Sequence, residues 1–184
     1  GESYTAGIAA YAKNSSLTNC TFGGKVSSKS GDYVAGIGAC CVNTNIKGCT
    51  NNAHVQANNM YAGGITAVSR KSAIDNCTNN GAVTGRAFYV GGISGFISDV
   101  NLTNFKNLAD IGSNKIAGGI CGKINSSQLS NGFAICKINA KDTAAGIGGI
   151  VEKSGINNVF SDCPIEFSKS FVRRDCISFA EKKN

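Results

Sequence analysis

Among its 184 residues the chain has no tryptophan, one proline, one methionine and one histidine, and only 16% of its residues are charged. Disorder is excluded, because 42% of the residues are apolar and the net charge is a modest +7. No apolar run approaches the roughly 20 residues of a membrane-spanning helix. A lone histidine, His54, also leaves no His-Glu-x-x-His helix of the kind zinc peptidases use. What is plentiful is glycine, at 24 copies. Each would cost about 1 kcal/mol inside a helix, which rules out a helical bundle and points to β structure.

The glycines belong to an internal repeat. A phrase recurs at Tyr4-Thr5-Ala6-Gly7-Ile8, Tyr33-Val34-Ala35-Gly36-Ile37, Tyr61-Ala62-Gly63-Gly64-Ile65 and Tyr89-Val90-Gly91-Gly92-Ile93. Weaker copies follow at Ile116-Ala117-Gly118-Gly119-Ile120 and Thr143-Ala144-Ala145-Gly146-Ile147. Successive phrase isoleucines are 29, 28, 28, 27 and 27 residues apart. Nine residues after each stands Leu17, Ile46, Ile74, Leu102, Leu129 or Ile156, and eighteen after it Val26, Val55, Val83, Ile111, Ile138 or Ile165.

Strand-like pieces this short do not bury their own apolar side chains, and stacking of like coils supplies the core. The pattern therefore predicts an all-β parallel solenoid (a β-helix) of about six coils over residues 1–166, with a non-repeating cap or tail over 167–184. In the tail, Phe167, Phe171, Ile177 and Phe179 are expected to cover the final coil. The glycine before each isoleucine predicts a close approach of opposing walls, a positive-φ corner, or both. Gly1 has no initiator Met before it and falls abruptly inside a coil, so further coils or another domain are expected to precede it.

Other columns carry polar residues. Asn19, Asn76, Asn104, Asn131 and Asn158, with Gly48 in the remaining coil, read as a left-handed bend. Asn51, Asn79 and Asn107 read either as a hydrogen-bonded ladder or as solvated turn residues. Tyr4, Tyr33, Tyr61 and Tyr89 would stack along one edge, as a packing ladder or as a sugar-binding row. Ile116 and Thr143 continue that column and favour packing.

The phrase resembles the GLUG motif, a Gly-aliphatic-any-Gly repeat of bacterial and protist surface proteins that also occurs beside IgA-specific metallopeptidases. Gly92-Ile93-Ser94-Gly95, Gly119-Ile120-Cys121-Gly122 and Gly146-Ile147-Gly148-Gly149 match it best, while Ala10, Ala39 and Ala67 replace the last glycine in the first three coils. The resemblance covers about Tyr4 to Phe167. It implies a β-helical repeat in cell-surface or adhesive proteins, and it implies no catalytic residues.

The carboxylates support a non-enzymatic reading. Glycan-active β-helices cluster acidic residues, whereas here Asp75 shares a column with Lys47, Asp99 with Lys71, Asp110 with Lys137, and Asp142 with Lys115. The nine cysteines show no CxxC zinc spacing and read mostly as small core residues, with disulfides between neighbouring coils left open. The sequence predicts no metal, no cofactor and no nucleic-acid partner. The expected role is a rigid spacer or binding face of a larger surface or secreted protein, built on Gly7, Ile8, Gly36, Ile37, Gly64, Ile65, Gly92, Ile93, Gly119, Ile120, Gly146 and Ile147. Expected partners are other coils or domains of a longer chain, other proteins of an assembly, or a host or matrix ligand. The alternatives are an accessory domain of a larger secreted peptidase or glycan-active enzyme, with catalysis elsewhere, and, if all nine thiols are free, an intracellular scaffold in a filament or assembly.

Overall fold

The computed structural model describes residues 2–167. The expected capping residues Phe171, Ile177 and Phe179, and the basic Lys169, Arg173, Arg174, Lys182 and Lys183, lie outside the described residues. Every regular element among the described residues is a β-strand, from two to eight residues long. The chain is a parallel β-solenoid of six coils, numbered here by the phrase isoleucines from Ile8 to Ile147, with four sheets, the third of which takes two short strands from each of the first four coils and one long strand from each of the last two.

The first column, the tyrosine sheet, stacks Tyr4–Ala6, Tyr33–Ala35, Tyr61–Gly63, Tyr89–Gly91, Ile116–Gly118 and Thr143–Ala145. The second stacks Ala9–Lys13, Gly38–Val42, Thr66–Arg70, Ser94–Ser98, Cys121–Asn125 and Gly148–Glu152. The third begins with Ser16–Thr18 and ends with the eight-residue strands Gln128–Ile135 and Gly155–Asp162. The fourth runs from Lys25–Ser28 to Ile165–Phe167. Pairing is parallel, and like residues face like: Tyr33 opposes Tyr4 and Tyr61, Ile74 opposes Ile46 and Leu102, and Val55 opposes Val26 and Val83. Neighbouring strands lie about 4.8 Å apart, so six coils span roughly 30 Å.

Two left-handed corners bracket the start of the third face in every coil. One is formed by Asn19, Asn76, Asn104, Asn131 and Asn158, with φ between 52° and 57°, and by Gly48 at 64°. The other is formed by Asn14, Asn43, Lys71, Asp99, Ser126 and Lys153, with φ between 46° and 56°. Just after this second corner, Thr44, Ser72, Ser127 and Ser154 each donate a hydroxyl to the carbonyl two residues back. The Ser72 oxygen also accepts the Thr44 amide, Ser127 the Val100 amide and Ser154 the Ser127 amide, all at 3.0 Å. Corner backbone groups that the ladders leave unpaired are thus satisfied coil by coil.

Ile37, Ile65, Ile93 and Ile120 are fully buried in one continuous core with Ile46, Ile74, Leu102, Leu129, Val55, Val83, Ile111 and Ile138. Burying each such side chain stabilises by about 1.5–3 kcal/mol. Ile8, in the first coil, is 44% exposed, and Ile147, in the last, is half-buried. The phrase glycines are not at positive-φ positions, which among the described glycines are Gly24, Gly48 and Gly85. Their role is close approach. A Cβ on Gly36, Gly64 or Gly92 would collide with the side chain of Asn51, Asn79 or Asn107 and with the carbonyl of the next phrase glycine.

Candidate functional site

The tyrosine and second sheets meet at a corner whose outer side holds a second apolar cluster, separate from the solenoid core. Tyr33, Ala35, Ala39, Cys40, Ala67 and Val68 are buried there, with Tyr4, Tyr61 and Phe96 packed against them. Along the second sheet Cys41 points into the core while Cys40 points out into this cluster. The four tyrosines form a continuous stack, with ring centroids 4.8, 5.4 and 5.5 Å apart and interplanar angles falling from 28° to 11°. Tyr11 meets Tyr4 edge-on at 5.7 Å, and Phe96 meets Tyr61 at 6.0 Å. The Arg70 guanidinium lies 5.7 Å from the Phe96 ring centre.

Polar groups close the rim of this seam. The Tyr4 and Tyr33 hydroxyls both donate to the Glu2 carboxylate, the latter at 3.1 Å. These bonds hold the Glu2 carboxyl below the usual carboxylate range. Burial, reinforced by Glu2, pushes the Tyr33 phenol up to about 12. The Glu2 bond raises Tyr4 as well, and burial raises Tyr61. All three therefore stay protonated donors at neutral pH. The ring faces of Tyr33 and Tyr61 are covered by neighbours above and below, so edges and hydroxyls are what these two present to a ligand.

The asparagine column is a ladder. Asn51, Asn79 and Asn107 are fully buried. Asn51 donates to Asn79 at 2.8 Å, and Asn79 donates to Asn107 at 2.7 Å. Asn51 and Asn107 also donate to the carbonyls of Ala53 and Ala109, and the Gly81 amide donates to Asn79. Coils five and six replace the ladder with Ala134 and Ser161.

Two of the four expected ion pairs form: Lys47–Asp75 at 3.9 Å and Lys115–Asp142 at 3.2 Å. The other two are corrected by local geometry. Lys71 and Asp99 both occupy left-handed corners, and the Asp99 carboxylate accepts the Ser98 hydroxyl instead. Asp110 accepts the Lys137 backbone amide at 2.9 Å, while the Lys137 ammonium pairs with Glu166 at 2.8 Å. Lys123–Glu152, at 3.1 Å, is a pair that column reading missed because the two residues stand at different positions in their coils. His54 lies opposite Lys25 on an outward column, its ring nitrogen 2.7 Å from the Thr84 hydroxyl. Among the described residues no group of three or more His, Cys, Asp or Glu side chains is placed to hold a metal ion.

The third face carries a feature that sequence reading did not anticipate. An open groove of about 530 Å³ runs past Asn76, Asn104, Asn131 and Asn158 and between Phe133, Ile135 and Phe160. Phe160 is 59% exposed and Ile135 48% exposed. The signal was available in the column that changes from Thr21, Thr50 and Thr78 to Lys106, Phe133 and Phe160.

No protein-family model matches the chain, and no curated protein matches it at a significant level. The likeness to GLUG repeats accordingly rests on the phrase residues themselves. No helix among the described residues is long and apolar enough to cross a membrane.

Proposed function

We propose that the chain is a non-enzymatic solenoid acting as a rigid spacer or binding face of a larger surface-associated protein of GLUG-like type. One observation carries this reading: the side chains best suited to chemistry are already engaged in joining coil to coil. The asparagine amides bond along the axis, the tyrosine rings cover one another, and Asp75 accepts Thr103 and Asn104 of the next coil at 2.8 Å while pairing with Lys47 of the previous one. Such ladders stiffen a stack in which each coil touches only its neighbours.

The test pairs two measurements on the whole chain. Pulling on single molecules is expected to give stepwise, coil-by-coil unfolding at high force, and a panel of glycans and peptides is expected to show no turnover. Release of product from a glycan or peptide panel overturns the non-enzymatic reading. Unfolding at forces no higher than those of unladdered β domains overturns the spacer role.

A further inference from the structure

Cys136 and Cys163 directly follow the third-face strands Gln128–Ile135 and Gly155–Asp162 of coils five and six, and their sulfurs lie 3.1 Å apart. Parallel in-register neighbours sit about 4.8 Å apart, inside the Cα separation a disulfide spans without backbone movement. We infer that Cys136 and Cys163 form a dithiol site that reacts with small-molecule disulfides and closes into a covalent staple between the last two coils.

The two sulfurs have distinct places in the reaction. Cys163 is half-buried, whereas Cys136 is only 7% exposed. Cys163 therefore attacks as the thiolate on one sulfur of an external disulfide, which breaks and releases one thiolate. Cys136 then gives up its proton and attacks the Cys163 sulfur, forming the Cys136–Cys163 bond and expelling the second thiolate. Two protein thiols are oxidised and one external disulfide is reduced to two thiols, which take up the two protons. The Cys136 thiol, donating to Cys163, lowers the Cys163 pKa below the ordinary thiol value, which favours this order of attack.

The other described cysteines are less suited. Cys121 and Cys41 are fully buried, and their ladder partners are Ser94 and Gly148, and Ala12 and Ser69, so neither stacks on a cysteine. Cys49 is hydrogen-bonded to Cys77, which lowers its pKa as Cys136 lowers that of Cys163, but at 1% and 0% exposure this pair is closed to an external disulfide. Cys20 is half-exposed, but burial against the coil raises its thiol pKa. The staple also falls where the buried asparagine ladder and the tyrosine stack are missing, since coil six has Ser161 and Thr143 in their places.

The full chain is incubated with oxidised glutathione, alkylated under denaturing conditions and digested with trypsin. The expected result is a fall from nine titratable thiols to seven. A cross-linked species should join residues 124–137 to residues 154–169, and the thermal midpoint should rise by roughly 5–10 °C. Cys136→Ser is expected to trap a glutathione adduct on Cys163, and Cys163→Ser to retain all its remaining thiols. Circular dichroism is used to check that both variants keep the parental β spectrum. Nine thiols still titrating overturns the proposal, as does a bond mapping to Cys20–Cys49 or to Cys176. An adduct that forms equally on Cys163→Ser also overturns it.

Discussion

Coils two to four and coils five to six share one backbone register but fill it differently. In the former, the column facing the phrase glycine is Asn51, Asn79 and Asn107, and the outer edge is Tyr33, Tyr61 and Tyr89. In the latter, those places are Ala134 and Ser161, and Ile116 and Thr143, while the outward Thr50, Thr78 and Lys106 give way to Phe133 and Phe160. The corners do not change: Asn131, Asn158, Ser126 and Lys153 keep the positive φ of their counterparts. Backbone geometry is thus the invariant, and the axial ladders are a local choice. A buried amide row penalises any slip in register, because a displaced asparagine would be left unpaired in an apolar core. The later coils hold together by apolar contact, surface ion pairs and facing thiols.

Several substitutions separate the two regimes, the most damaging first. Ile93→Asp buries a charge in the fully enclosed centre and should abolish the cooperative thermal transition, whereas Ile8→Asp, at a site 44% exposed, should retain it. If both melt like the parent, the distinction between interior and end coils is lost. Asn79→Ala should cost about 2–4 kcal/mol in chemical denaturation, since it strands the Asn51 donor, the Asn107 acceptor and the Gly81 amide. Asn80→Ala, on the exposed neighbouring column, should stay within about 0.5 kcal/mol. Equal losses at the two sites would remove the ladder from the account.

A smaller gain is expected at Ser69, whose buried hydroxyl has no hydrogen-bond partner. Ser69→Ala should raise stability by about 1 kcal/mol, and a clear loss would show that the hydroxyl is satisfied in solution. The smallest effect concerns acid. Asp75 titrates below its ordinary value, chiefly through hydrogen bonds from Asn104 and Thr103 and further through Lys47. A carboxyl with a depressed folded pKa contributes stability that is complete above its unfolded value of about 3.9 and is lost as pH falls through the folded value. Asp75→Asn should therefore flatten the acid limb of the stability curve, and an unchanged limb would assign that limb to other carboxylates.

Much of this was legible in the residues. The isoleucine and valine columns, the bend at Asn19, Asn76, Asn104, Asn131 and Asn158, and the tyrosine stack recur with one chemistry at one spacing, and such columns announce themselves. The other corner did not, because Asn14, Asn43, Lys71, Asp99, Ser126 and Lys153 share a φ and little else. That diversity also disguised Lys71 and Asp99 as an ion pair. The outer seam was hidden for a related reason: its second wall is Tyr11, Cys40, Val68 and Phe96, related by position and shape but not by type. The groove of Phe133 and Phe160 lay in a change along a column, and a search for repeats rewards sameness.

The common register has a consequence for how such a molecule can vary. Each middle coil offers its upper and lower neighbours the same backbone register, so the length of the stack is a count of like-shaped units. Excising residues 65–92 would join Gly64 to Ile93 and bring Asn107 to the place Asn79 held above Asn51, while Phe96 would take the place of Val68 beside Cys40. Length along the axis can be revised by whole turns, leaving both terminal surfaces as they were.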